Sequence, residues 1–159
     1  MDHVTRSVRT LDTSADAEAC DGIVRGLPAW FGNEEGLREQ AQLVRSSPGL
    51  VCVEDAEIVG FLTYLRIHPR AAEITWMAVR SDRRRRGIGT TLLNELRSAL
   101  SRDGVRMLVV KTLSDREDPG RAYSETRSFY LGRGFIPVAE LEIWGPENPC
   151  QMLVMPFSG

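Results

Sequence analysis

An α/β fold built on a mixed β-sheet is the architecture that this sequence predicts. Three observations lead there. β-rich runs and amphipathic helical runs alternate along the chain. Several consecutive β-runs are joined by short polar turns, which makes them hairpins. One apolar run, "EITWMAV", passes into the helical run "IGTTLLNELRSALSRDG" and on to a second apolar run, "VRMLVVKTL". That passage is a parallel β-α-β step. Its neighbours are antiparallel hairpins, so the sheet is mixed rather than doubly wound.

Taken in order, "VTRSVRTL" alternates and reads as a first strand. In "TSADAEACDGIVRGL", Thr13 or Ser14 caps a short helix that stops near Gly26. "LPAWFGNEEG" is a loop carrying Trp30 and Phe31, and "EEGLREQAQLVRS" is a second helix ended by Ser47-Pro48-Gly49. "LVCV" and "EIVGFLTYLRIH" flank Glu54-Asp55-Ala56 and form a hairpin. "EITWMAV" is almost all apolar, which predicts a strand buried on both faces. Leu92, Leu93, Leu96 and Leu100 give the next helix its apolar face, and Gly104 closes it. "VRMLVVKTL" is another buried strand and "SDREDPGR" a polar loop. "AYSETRSFYLGRG" is a helix ending at Gly134. "FIPVAELEIW" and "QMLVMPF" are closing strands joined by "GPENPC".

The 159 residues suit a single domain spanning 1–159. A composition of 42% hydrophobic and 26% charged residues supports a core and excludes the disordered class. The formal net charge of -2 argues against a nucleic-acid partner. Cys20, Cys52 and Cys150 lie far apart without CxxC or Cys/His pairing, so neither a disulfide framework nor a metal site is expected. "MDHVTRSVRT" holds no apolar stretch, and no run reaches membrane-spanning length. The expectation is a cytoplasmic protein without a signal peptide or a membrane partner.

One stretch departs from the rest. "RRRRGIGT", Arg83 to Thr90, lies between a buried strand and a helix start. Backbone N–H groups in the first turn of a helix lack carbonyl partners and carry the positive end of the dipole. Gly87 and Gly89 remove side chains, so a phosphate can approach the backbone, and the flanking arginines can neutralise it. A pyrophosphate suits that arrangement. The stretch is not a Walker A loop, which needs a different spacing and a Lys, nor G-x-G-x-x-G, because position 92 is Leu92. A solvated charge run accounts for the arginines but not for the glycines between strand and helix.

On these residues the chain resembles the GNAT superfamily of N-acetyltransferases. "VRSDRRRRGIGTTLL" is similar to its acyl-CoA signature R/Q-x-x-G-x-G/A, met here by Arg84, Gly87 and Gly89. "TRSFYLGRGF" resembles its second signature, a helix ending in a Tyr before a strand. The resemblance implies a mostly antiparallel sheet with a splayed parallel pair and about four flanking helices. It implies acetyl-CoA as donor, with its pantetheine arm along Met77, Ala78 and Val79. The pyrophosphate would then meet Arg84, Arg85, Arg86, Gly87, Ile88, Gly89 and Thr90. An N–H near Met77 or Ala78 would face the thioester oxygen.

The resemblance makes Tyr130 the acid that protonates the leaving thiolate. A phenol, with a reference pKa of about 10, is protonated at neutral pH. Tyr123, Arg127 and Tyr130 share a helix face on which further cofactor contacts are implied. Tyr123 stands where many family members carry Asn, which departs from the usual contact. Glu73 is the candidate base for the amine, although a carboxylate at a strand end is equally well explained as solvated. His68 should lie near Glu73 if the hairpin pairs. Trp30, Phe31 and Trp144, with Glu147 and Asn148 beside it, are candidates for the acceptor end. Cys150 reads as core.

The expected function is direct acetyl transfer from acetyl-CoA to a primary amine, on a small molecule or a peptide, in a ternary complex. A silent CoA-binding sensor of the same fold is the alternative. A nucleic-acid-binding domain built on the arginine run is disfavoured by the net charge. Family members often dimerise, so a homodimer stays open.

Overall fold

The computed structural model describes residues 4–27, 34–114 and 121–157. Seven strands, β1 (Arg6–Thr10), β2 (Gly49–Glu54), β3 (Glu57–His68), β4 (Ala71–Val79), β5 (Met107–Leu113), β6 (Ile136–Leu141) and β7 (Cys150–Pro156), hydrogen-bond in the order β1-β2-β3-β4-β5-β7-β6. β4 and β5 are parallel, while β1–β2, β2–β3, β5–β7 and β6–β7 are antiparallel. Four helices accompany them: α1 (Ser14–Arg25), α2 (Glu34–Ser46), α3 (Ile88–Arg102) and α4 (Arg121–Leu131). This is the mixed α/β architecture expected, with its single parallel pair.

The chain groups into two compact units, one of residues 1–65 and 75–99, the other of 66–74 and 100–159. In the first unit, α1 starts where Thr13 accepts a hydrogen bond from the Asp16 backbone N–H at 3.1 Å, as a cap should. Its Ala17, Cys20, Ile23 and Val24 join Leu37 and Val44 of α2 in a core over Val51 and Phe61. Asp55 and Ala56 both take positive φ, 51° and 68°, which is the tight turn that a twisted hairpin needs. β1 is almost wholly exposed, an outer strand. Gly60 has a steric reason: a Cβ there would lie 2.7 Å from Ile88 Cγ2 and 3.3 Å from the Ala78 carbonyl. The glycine therefore lets the first turn of α3 settle on the sheet.

In the second unit, Leu108, Val110, Leu153 and Met155 are buried with Tyr130 and Phe135. The parallel ladder covers only Ala71↔Met107 to Ile74↔Val110, although β4 runs on to Val79 and β5 to Leu113.

Two boundaries and one burial pattern differ from the sequence reading. β4 begins at Ala71 rather than Glu73, because Pro69 and Arg70 alone make the turn from β3, so Glu73 lies inside the ladder opposite Val109. Burial on both faces of β4 holds for Ala71, Ala72, Ile74 and Ala78, but Thr75, Trp76, Met77 and Val79 are only half-buried. The closing strand expected over 135–144 ends at Leu141. Gly145, at φ 86°, turns the chain there, and its N–H bonds to the Glu142 carbonyl at 3.3 Å.

Candidate active site

The arginine–glycine stretch folds as a strand, a tight turn and a helix. After Val79, the Arg80 backbone N–H donates to the Val59 carbonyl at 2.8 Å, and a single 3-10 turn covers Ser81–Arg83. The Arg80 side chain is held by Asp82 at 2.6 Å and by Glu57 at 3.1 Å, both carboxylates, so it braces the turn. The backbone then reverses. Arg85 lies at φ 63° and Gly87 at φ 79°, both in the left-handed region, where a residue other than glycine costs about 1 kcal/mol. Such a reversal points successive N–H groups into one concavity, an anion nest.

Helix α3 starts at once. The Thr91 N–H and its Oγ1 both donate to the Gly87 carbonyl at 2.9 Å, which makes Gly87 the cap. The N–H groups of Gly87, Ile88 and Gly89 bond to none of the described residues. Arg84, Arg85 and Arg86 are exposed around them. Ile88 is buried at 1% exposure and anchors the turn to the core. N–H donors that meet none of the described residues, the positive end of a helix and three exposed arginines thus gather in one turn.

Behind this turn lies a second arrangement. Arg6 of β1 donates through Nη2 to the Arg86 carbonyl at 2.8 Å and through Nη1 to Thr91 Oγ1 at 3.4 Å. Its Nε donates to Glu54 Oε2 at 3.1 Å, and the Glu54 side chain is only 4% exposed. Arg83 Nε approaches the other oxygen of the same carboxylate at 3.7 Å. In the same unit, the hydroxyls of Thr63 and Thr75 share a hydrogen bond of 2.7 Å.

The second unit holds the titratable candidates. Glu73 Oε1 pairs with Lys111 Nζ at 3.0 Å, with side-chain exposures of 16% and 30%. Cys150 is buried behind the pair, and burial raises its thiol pKa. On α4, Tyr130 is 5% exposed and packs edge-to-face on Phe129 and Phe135, with ring centroids 5.3 and 5.1 Å away. Burial raises its phenol pKa well above the ordinary value. Tyr123, half-buried, is raised by the same cause. Arg127 donates to the Leu113 carbonyl at 2.9 Å and so ties α4 to the end of β5. Among the described residues, no group of three or more His, Cys, Asp or Glu could hold a metal ion.

The family described as "Acetyltransferase (GNAT) family" matches residues 18–129. The chain belongs to the GNAT acetyltransferase family. Solved structures agree in fold. A GNAT-family protein from Desulfovibrio desulfuricans superposes with a TM-score of 0.83 at 21% identity, covering 96% of this chain and 99% of that one. An aminoglycoside 6'-N-acetyltransferase complexed with coenzyme A gives 0.74 at 17%, covering 96% and 98%. The ribosomal-protein-S18-alanine N-acetyltransferase from Escherichia coli gives 0.75 at 17%, covering 98% and 97%. No curated protein matches the sequence significantly.

Within this GNAT domain, the first unit brings Met77, Ala78 and Val79 into one continuous passage with Arg84–Thr90. The second unit sets Tyr123, Arg127 and Tyr130 along one face of α4. It pairs His68 and Glu73 with different groups. His68 Nδ1 accepts from the Arg70 N–H at 3.1 Å, so the imidazole closes its own hairpin, and the ion-pair partner of Glu73 is Lys111. Trp144 is 42% exposed in a turn where Asn148 donates to its carbonyl at 3.4 Å. Trp30 and Phe31 lie outside the described residues. No helix among the described residues is long and apolar enough to cross a membrane.

Sequence reasoning missed Arg6, Glu54 and Lys111. Lys111 had a signal, as the one lysine among 20 basic residues. Arg6 had none, because its partners stand 48 and 80 positions away.

Proposed function

We propose that this GNAT protein transfers the acetyl group of acetyl-CoA to a primary amine by direct attack in a ternary complex. The observation that supports it most is the set of N–H groups at Gly87, Ile88 and Gly89 that bond to none of the described residues, with exposed Arg84, Arg85 and Arg86 beside them. A coenzyme A diphosphate is the anion that this cradle fits. Met77, Ala78 and Val79 lie beyond the end of the parallel ladder, where β4 has backbone to offer a pantetheine arm as an added strand would. An N–H at Met77 or Ala78 is the candidate donor to the thioester oxygen.

Glu73 is the proposed base. Its carboxylate, 3.0 Å from Lys111 Nζ, would accept a proton from an incoming ammonium, directly or through water. The freed amine attacks the thioester carbon, a C–N bond forms and the C–S bond breaks; the proton that the nitrogen then sheds replaces, through water, the one that the departing sulfur takes up. Tyr130 is the proposed donor to the departing sulfur. Burial raises its pKa and so keeps the phenol protonated across the neutral range. Tyr123 and Arg127 are proposed to flank the cofactor, although one arm of Arg127 is engaged by Leu113. His68 and Trp144, both exposed, stay as candidates for the acceptor end.

A catalytically silent CoA-binding domain is the second reading, favoured by the engagement of Glu73 with Lys111. Calorimetric titration with acetyl-CoA, CoA and ADP tests the cradle. A screen of small and peptide amines, read by thiol release, then separates enzyme from sensor. Thiol release with an amine establishes the transferase, and tight CoA binding without release establishes the sensor.

A further inference from the structure

The contact between Arg6 and the Arg86 carbonyl does more than tie an outer strand to a loop. In a planar trans peptide, the carbonyl and the following N–H point in opposite directions. Pinning the Arg86 carbonyl at 2.8 Å to Arg6 Nη2 therefore turns the Gly87 N–H to the far side of that peptide. A carbonyl flipped into the nest would repel an anion, whereas an N–H there attracts one. Gly87 is where such a flip is easiest, because its φ of 79° lies in a region that glycine shares with its mirror image.

The pin is itself anchored. Arg6 faces Glu54 across the β1–β2 ladder, and their side chains meet at 3.0 Å. Glu54 is buried to 4% and takes Arg6 on one oxygen and Arg83 on the other, at 3.7 Å. A carboxylate so far from water is unfavourable unless paired. Oε2 takes the hydrogen bond from Arg6, whereas Oε1 has only the longer approach of Arg83. The planar head of arginine, with five donors in a fixed fork, meets a carboxylate, a carbonyl and a hydroxyl at once.

We propose that Arg6, anchored by Glu54, is a positioning residue that sets the Arg86–Gly87 peptide with its N–H toward the donor diphosphate. This deepens the proposed acetyl-CoA reading and rests on it. Neither residue touches the cofactor in this scheme. The effect falls on the diphosphate alone.

The test compares the wild-type chain with Arg6→Met and Glu54→Gln in titrations with CoA, ADP and pantetheine. Amide spectra monitor Gly87, and thermal melts report folding. Arg6→Met should weaken CoA and ADP by about tenfold, as expected when a charged hydrogen-bond partner is lost. Pantetheine affinity should not change, and the ADP-induced shift of the Gly87 amide should disappear. Arg6→Met, whose side chain is 29% exposed in the wild type, keeps the test open should Glu54→Gln fail to fold. Wild-type affinities for CoA and ADP in Arg6→Met overturn the positioning role alone. Equal loss of pantetheine binding also overturns it, since that marks general loosening. Absence of CoA and ADP binding by the wild-type chain overturns the cradle reading, and the role of Arg6 with it.

Discussion

Lys111 Nζ stands 3.0 Å from Glu73 Oε1, joining the two parallel strands through the chain's one lysine and a partly buried carboxylate. Val109 is the partner of Glu73 in register, so Lys111 lies one step along the same face of β5. The pair has two consequences. Glu73→Gln should lower turnover by about 100-fold, the usual range for loss of a general base, with CoA affinity unchanged. Lys111→Met should destabilise the fold by about 1 kcal/mol after discounting for solvent around both groups. Single-turnover assays and thermal unfolding read the two effects. Unchanged turnover in Glu73→Gln would remove Glu73 as base.

Tyr130→Phe separates chemistry from packing. The edge-to-face contacts with Phe129 and Phe135 need only the ring. The variant should therefore melt within about 1 kcal/mol of the wild type while turnover falls at least about tenfold. CoA affinity, measured by titration, should stay the same. Full activity would make Tyr130 a core residue only.

Gly60→Ala probes the seat of the cradle from behind. Its Cβ would come within 2.7 Å of Ile88 Cγ2 and 3.3 Å of the Ala78 carbonyl. The side chain of Ile88 can yield more readily than the backbone. Overpacking of this kind costs about 1–3 kcal/mol, and the first turn of α3 must move outward. We expect a lower melting temperature together with weaker CoA binding. Loss of stability with full CoA affinity would show that the cradle tolerates the shift.

Acid should unfold the first unit through Asp16. Arg9 meets this buried carboxylate at 2.7 and 2.9 Å, and the Asp12 N–H donates at 3.0 Å. The Arg9 hydrogen bonds, more than any other cause, hold its pKa well below the ordinary 3.8. A depressed carboxylate stabilises the fold above its unfolded pKa, and that contribution fades as pH falls through the folded value. Stability should thus decline below about pH 4, and Asp16→Asn should flatten that decline while costing about 2 kcal/mol at neutral pH. Denaturant titrations at several pH values decide it. An equal acid slope in Asp16→Asn would place the effect elsewhere.

Local signals made much of the fold legible. The cap Thr13, the full extent of α2 and the two ends of β3 follow from propensity and punctuation within a few residues of each position. The end of the closing strand was harder to see. "LEIW" has β-forming side chains, but Gly145 and Asn148 spend the backbone on a turn. Propensity counts side chains, whereas a turn is decided by where the hydrogen bonds go.

The candidate site divides in the same way. The sequence by itself determined the stretch proposed as a cradle, because a helix start, two glycines and a run of arginines are contiguous, and their chemistry is local. It also determined which residue types were available as acid and base. Only the tertiary structure decided their partners. It set Lys111 on Glu73, tied Arg127 to Leu113, and carried Arg6 across 80 positions to the Arg86 carbonyl. Such pairings depend on strand order and register. A charged group takes the counter-charge that folding brings to it, and nothing local in the sequence encodes that distance.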